Sequence, residues 1–177
     1  MTKHVHLVPI DAEFARVADA EPGGVLLRYR VHLGACEGLV REAVQQTLAM
    51  KGVAPPWGGY LAFDETTRLA VGTCAFKGAP TTDRAVEIAY FTFPPFEGQG
   101  YATAMAARLL ELAWGATRVS QVLAHTRPER DASSRILEKL GFELVGEIEL
   151  PDDGAVWLWR RYRPGTLRTA PVLPSPA

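Results

Sequence analysis

The sequence predicts an α/β fold built on a mixed sheet, and three observations carry that prediction. Apolar β-prone runs and helical periods follow one another in the order strand, helix, helix, hairpin, strand, helix, strand, helix, hairpin. The run at 85–93, AVEIAYFTF, is apolar on both alternating faces apart from Glu87 and Thr92, as a central strand covered on both sides requires. A glycine-containing turn then joins this run directly to a long amphipathic period.

The elements follow in order. Residues 4–10 alternate as a first strand, and Asp11 is placed to cap a short helix with Phe14, Val17 and Ala18 on one face. Residues 21–34 carry no period and read as an irregular segment. From Cys36 to Met50, Val40, Ala43, Val44, Thr47 and Leu48 keep helical spacing until Gly52 and Pro55-Pro56 stop it. The runs 60–63 and 69–76 flank Asp64-Glu65-Thr66-Thr67-Arg68 and read as an antiparallel hairpin. Pro94-Pro95, which lack N–H donors, end the strand at 85–93.

After Gly98-Gln99-Gly100 a helix runs to Trp114, with Ala102, Met105, Ala106, Leu109, Leu112 and Ala113 as its stripe and Gly115 as its stop. Residues 119–125 form the next strand. Asp131 caps a helix whose end at Gly141-Phe142 has the form of a Schellman stop, with Phe142 folding back on Leu137. Residues 142–150 and 155–162 form a last hairpin around Pro151-Asp152-Asp153-Gly154. Residues 1–163 read as one domain, and the proline-punctuated stretch 164–177 as a disordered tail.

Composition narrows the function. A chain of 177 residues, 47% hydrophobic and 22% charged, suits one domain with an apolar core. With 19 Lys and Arg against 20 Asp and Glu, the net charge of -1 supplies no broad field for nucleic acid or anionic membrane, so any anion must be held locally. Cys36 and Cys74 stand far apart without a CxxC partner, which argues against a disulfide scaffold or a zinc site and for a reducing compartment. No apolar leader or membrane-length run is visible, so a cytoplasmic protein is expected. His4 and His6 share one face of the first strand but lack a third ligand at sensible spacing, so no metal is expected.

The strand-to-helix turn is the segment that carries chemistry. The first N–H groups of a helix have no intrahelical acceptor and lie at the positive end of its macrodipole. Gly98 and Gly100 remove the β-carbons that would bar a phosphate, and small Ala102 and Thr103 leave the first turn open. A Gly-x-Gly alone is more often a tight turn. Here no Lys-Ser/Thr follows, which excludes a P-loop, and Thr103 stands where a dinucleotide fingerprint has its third glycine or alanine.

Two motifs resemble the GNAT superfamily of acetyl-CoA-dependent N-acetyltransferases, in particular the branch that includes ribosomal-protein N-terminal acetylases. VEIAYFTFPPFEGQGYATAMA, from Val86 to Ala106, is similar to the family's core strand, acetyl-CoA loop and following helix. HTRPERDASSRILEKLGFELVG, from His125 to Gly146, is similar to its next strand end, helix and GF turn. The likeness covers about residues 58–162. It implies a mixed, mostly antiparallel central sheet with a splayed central strand pair, flanked by helices; Pro94-Pro95 offer an independent reason for the splay. It also implies that the main chain of Phe91, Thr92 and Phe93 bonds pantetheine, and that Glu97, Gly98, Gln99, Gly100, Tyr101, Ala102 and Thr103 hold the pyrophosphate. The chain departs from the family in Pro95 and Glu97, where basic or amide side chains are usual, and in Arg130, where Asn is usual. Arg130 is therefore a candidate phosphate ligand, and Ser133 matches the family pattern.

The implied reaction moves an acetyl group from acetyl-CoA to a primary amine, a protein N-terminus or a small molecule, by direct attack. An alkylamine with a pKa of about 10.4 must first lose a proton. Glu87, the one carboxylate in its strand, is the candidate base if burial raises its pKa; the competing reading pairs it with a cation or turns it to solvent. A main-chain N–H of the 91–93 segment is the oxyanion donor. Leu137 stands where many relatives place an acidic Tyr, leaving Ser133 or water to protonate the thiolate. His125 ends its strand beside the cleft, more in keeping with a structural than a catalytic histidine, and Cys74 reads as inert core. Trp57 and the 21–34 segment are candidate walls of the acceptor pocket. The partners expected are acetyl-CoA and an amine, with the chain a monomer or homodimer. Leu137, Glu97 and Arg130 keep open a non-catalytic acyl-CoA-binding module, and a nucleotide-binding regulator is a third reading.

Overall fold

A computed structural model describes residues 3–20, 25–49 and 55–165. Strand β1 (Val5–Pro9), helix α1 (Ala12–Ala20), strands β2 (Val25–Leu26) and β3 (Val31–His32), and helix α2 (Glu37–Ala49) come first. They are followed by β4 (Gly59–Asp64), β5 (Ala70–Phe76), β6 (Ala85–Thr92), α3 (Tyr101–Gly115), β7 (Gln121–Thr126), α4 (Ala132–Lys139), β8 (Glu143–Leu150) and β9 (Gly154–Tyr162). Seven strands form one sheet in the order β1-β4-β5-β6-β7-β9-β8. Every neighbouring pair in it is antiparallel except β6 and β7, which are parallel and joined through α3.

The local signals in the sequence explain most boundaries. The Asp11 carboxylate accepts the Phe14 N–H at 2.8 Å and starts α1, whose Phe14, Val17 and Ala18 are buried. Asp131 and Ser134 form a reciprocal capping box at α4. The Phe142 N–H donates to Leu137 O and the Gly141 N–H to Glu138 O, both at 2.9 Å, closing the helix as a Schellman motif with Gly141 at φ +76°.

The sheet separates two apolar layers. Tyr60 and Ala62 point to the layer holding Met105 and Leu109 of α3 and Leu137 of α4; Leu61 and Phe63 point to the layer holding Phe14, Val40 and Val44 of α1 and α2. Contact is closest at Gly72, where an added Cβ would stand 2.4 Å from the main-chain oxygen of Phe91. This strand approach admits only glycine.

Three expectations need correction. The described part of the 21–34 segment is not irregular, because Val25–Leu26 and Val31–His32 pair as a small antiparallel hairpin; residues 21–24 lie outside the described residues. Leu48 follows the α2 period but is 48% exposed, since only Val40 and Val44 of that helix are buried. Trp57 is packed edge-to-face on Phe76 at the start of the hairpin and takes no part in the clefts described below, so it serves the core rather than an acceptor pocket. Gly52 and residues 166–177, most of the expected tail, lie outside the described residues.

Candidate active site

The parallel pair β6 and β7 is in register only at Ala85↔Gln121, Val86↔Val122 and Glu87↔Leu123. Beyond Glu87 the strands part: β6 continues to Thr92 against β5, and β7 continues to Thr126 against β9. A wedge therefore opens in the middle of the sheet. It begins at Ile88, well before Pro94, so the missing N–H groups of Pro94-Pro95 are not its cause. Those prolines instead form a tight turn, Pro94–Phe96, that carries the chain from β6 to the glycines.

The wedge also decides which main-chain groups are free. The Lys77 N–H donates to Glu87 O at 3.0 Å and the Phe93 N–H to Val71 O at 2.9 Å, with Thr73↔Phe91 and Ala75↔Ala89 in register between them. In an antiparallel ladder this alternation turns the amides of Glu87, Ala89, Phe91 and Phe93 toward β5. The donors and acceptors of Tyr90 and Thr92 face the opening. The main-chain groups of Phe91 and Phe93, expected at the pantetheine, are thus spent on the sheet, and those of Thr92 are not. The Phe93 side chain is buried and that of Phe91 is 52% exposed.

A cavity of about 1000 Å³ runs from the wedge to the start of α3. Glu97, Gly98, Gly100, Tyr101, Ala102 and Thr103 line its far end. Gly98 and Gly100 have φ of +71° and +91°, and Gly100 forms the N-cap of α3 without a side-chain cap. A Cβ on Gly98 would meet nothing within 4 Å, so the glycines leave open space in front of uncapped helical amides. Gln99 is not part of this lining; its side chain donates to Pro95 O at 3.1 Å and steadies the turn from outside. The Tyr101 side chain is buried and its hydroxyl donates to Asp64 Oδ2 at 2.7 Å.

The positive charge of the cavity comes from residues the sequence reading passed over. Arg130 points away and pairs with Glu138 at 2.6 Å, whereas Arg127, Arg135 and Lys139 line the cavity. Arg135 and Lys139 share a face of α4 with Ala132 and Ser133, opposite buried Ser134 and Leu137. The helical period counted from the Asp131 cap carries that signal. Ser133 lines both this cavity and a smaller one of about 110 Å³ on the other side of the wedge.

Glu87 lies in the smaller cavity and is not the isolated base expected. Its Oε1 accepts from Lys77 Nζ at 2.6 Å and from His125 Nδ1 at 2.8 Å. Burial opposes its charge, but the hydrogen bonds from His125 and Lys77 outweigh that, and its carboxyl sits below the ordinary glutamate range. The expected upward shift is therefore reversed. Tyr90 and Thr92 carry hydroxyls that are buried without a protein partner at hydrogen-bonding geometry, with Ser133 beside that of Tyr90. Burial pushes the Tyr90 phenol up, so it stays protonated. Leu137 is fully buried. Cys74 is buried, and desolvation pushes its thiol far up, so no thiolate nucleophile arises there. Among the described residues, no group of three potential ligands is placed to hold a metal, and no helix is long and apolar enough to cross a membrane.

The acetyltransferase (GNAT) domain model matches residues 10–143. The chain belongs to the GNAT acetyltransferases. A curated relative, the uncharacterized N-acetyltransferase YoaA of Bacillus subtilis strain 168, is 28% identical over 82 residues; that match spans 46% of this chain and 46% of YoaA's length. Among solved structures, a GNAT-family acetyltransferase from Bacillus anthracis superposes with a TM-score of 0.62 at 16% identity, covering 92% of this chain and 96% of that one. RimL, a ribosomal L7/L12 alpha-N-protein acetyltransferase in complex with coenzyme A, superposes with a TM-score of 0.58 at 16% identity, covering 89% and 98%. At these identities the two structures share the fold: a mostly antiparallel sheet with helices on both faces.

The residues that line the site have the chemistry that coenzyme A calls for. The glycines leave a cradle that β-carbons would fill, Arg127, Arg135 and Lys139 supply charge of the sign a polyphosphate needs, and two buried hydroxyls in the wedge lack partners. These features fit a diphosphate joined to a polar, extended arm.

Proposed function

We propose that this chain is an acetyl-CoA-dependent N-acetyltransferase that delivers the acetyl group to a primary amine by direct attack. The observation that carries the reading is the end of β6–β7 pairing at Glu87↔Leu123. It opens the sheet between a phosphate-sized cradle on one side and a small polar cavity holding Glu87 and His125 on the other. Acetyl-CoA supplies the acyl group as an activated thioester.

The chain's own groups would then divide the work. The main-chain amides of Gly98, Gly100, Tyr101, Ala102 and Thr103 would hold the diphosphate, aided by Arg127, Arg135 and Lys139, whereas the Glu97 N–H is already given to Pro94 O at 3.3 Å. The wedge-facing main-chain groups of Tyr90 and Thr92 would bond the pantetheine arm, and one of their N–H groups would polarise the acyl oxygen. The name of RimL, which acts on a protein α-amine, supports an amine as acceptor here.

The side chain of Leu137, which has no hydroxyl to protonate a leaving thiolate, favours the competing reading of a non-catalytic acyl-CoA-binding module. One pair of measurements separates the readings. Acetyl-CoA at about 100 times its Kd should stabilise the protein by about 2.7 kcal/mol and raise Tm by roughly 5–10 °C, while ATP and NAD do not. Thiol release from acetyl-CoA should then depend on added amine, with peptides bearing a free α-amino group and aliphatic diamines as the panel. Stabilisation without thiol release for any amine supports the module; stabilisation by ATP or NAD alone overturns both.

A further inference from the structure

We propose that His125 accepts the proton of the incoming ammonium group, and that Glu87 and Lys77 are positioning residues that hold its imidazole with Nε2 toward the wedge. The assignment rests on the reading of the site as an amine acetyltransferase and names its proton acceptor.

The geometry begins with register. Glu87 and Leu123 are the last pair before β6 and β7 part, so His125, two residues further along β7, shares their face and stands where the opening starts. Its Nδ1 is 2.8 Å from Glu87 Oε1. An ionised carboxylate can only accept, so Nδ1 carries a hydrogen, and in the neutral form of the ring the lone pair then lies on Nε2. Among the described residues, Nε2 has no hydrogen-bond partner.

Glu87 is fixed in turn. Lys77 reaches the same oxygen at 2.6 Å from the end of β5, so the carboxylate that looks like a base from sequence is held by two donors. His125 is 14% exposed, and with Tyr90 and Ser133 it is common to both cavities. The groups around the imidazole are Lys77 beyond β5, Glu87 and Tyr90 on β6, Ser133 on α4 and Arg127 just after β7. Of these, the Glu87 carboxylate is the group in hydrogen-bond contact with the ring.

The proton balance closes with these parts. One proton of the ammonium group passes to Nε2 and leaves a neutral amine. The amine lone pair forms the C–N bond at the thioester carbonyl carbon, the C–S bond breaks, and its electron pair departs on sulfur. The surplus proton of the new amide nitrogen moves to the thiolate, and the imidazolium returns its proton to solvent.

The test compares wild type, His125→Ala and Glu87→Gln. Coenzyme A affinity is read by calorimetry, and thiol release is read with whichever amine of the panel, a free α-amino peptide or an aliphatic diamine, turns over fastest. His125→Ala should bind coenzyme A within about threefold of wild type, lose roughly 100-fold or more in kcat, and regain part of it with added imidazole. Glu87→Gln should lose about tenfold in kcat without a change in KM for acetyl-CoA. Nitrogen-15 histidine spectra of the wild-type protein at neutral pH should show His125 protonated on Nδ1. Turnover by His125→Ala within threefold of wild type, or an Nε2-protonated ring, overturns the assignment. Failure of the wild-type protein to bind coenzyme A overturns the reading of the site itself.

Discussion

Tyr101 Oη donates to Asp64 Oδ2 at 2.7 Å, which ties the residue after the second glycine to the turn between β4 and β5. The same carboxylate accepts from the amides of Thr66 and Thr67 at 3.0 and 2.7 Å. Lys3 lies over the Tyr101 ring, 4.7 Å from its centroid. The start of α3 is thus anchored on its core side while its cavity side stays uncapped.

Asp64→Asn should therefore loosen both the turn and the glycine loop. Its amide nitrogen cannot accept, so the Tyr101 O–H loses its buried acceptor, at a cost of about 2 kcal/mol. Burial opposes the Asp64 charge, but hydrogen bonds from Thr67, Tyr101 and Thr66 outweigh it and hold the carboxyl below the ordinary aspartate range. Because the folded pKa is depressed, the stabilisation is complete above the unfolded value of about 3.9 and is lost as pH falls through the folded one. Urea midpoints of wild type and Asp64→Asn should differ near neutrality and converge in acid.

Gly98→Ala separates folding from binding. Its φ of +71° costs an alanine about 1 kcal/mol, yet the added Cβ meets no protein atom within 4 Å. The fold should persist, and calorimetry should show coenzyme A affinity falling roughly tenfold, as one charge-assisted contact is displaced.

Tyr90→Phe removes a buried hydroxyl that has no completed protein hydrogen bond. The variant should be as stable as wild type or gain up to about 1 kcal/mol in urea unfolding, because an unsatisfied polar group is deleted. Its rate of thiol release should nevertheless fall, since that hydroxyl is kept in the wedge at no benefit to the fold.

Leu137→Tyr, which introduces the side chain that the family resemblance implies at this position, should fail to raise activity. Leu137 is fully buried between α4 and the sheet, and the larger ring costs about 2 kcal/mol by overpacking. A lowered Tm with unchanged or reduced kcat is the expected result.

Much of this was legible in one sequence because the signals are local. Asp11 and Asp131 caps, the Gly141 stop and the apolar strand at 85–93 are each written within a few residues of where they act. The site was legible only as far as the glycines. Which main-chain groups face the opening depends on β5–β6 register, so Phe91 and Phe93 could not be told from Tyr90 and Thr92 by composition. Lys77 and His125 converge on Glu87 from other strands, and that long-range pairing reversed the effect expected from burial. Arg130 attracted attention as a departure from the family motif, whereas helical phase from Asp131 selects Arg135 and Lys139.

The most direct test is a titration of the nitrogen-15-labelled protein with coenzyme A, followed amide by amide. The largest shifts should fall on residues 97–103, with Tyr90 and Thr92 next and Phe91 and Phe93 less affected. Saturable binding that leaves the amides of 97–103 unmoved, with its shifts elsewhere on the protein, would contradict a diphosphate cradle at the start of α3.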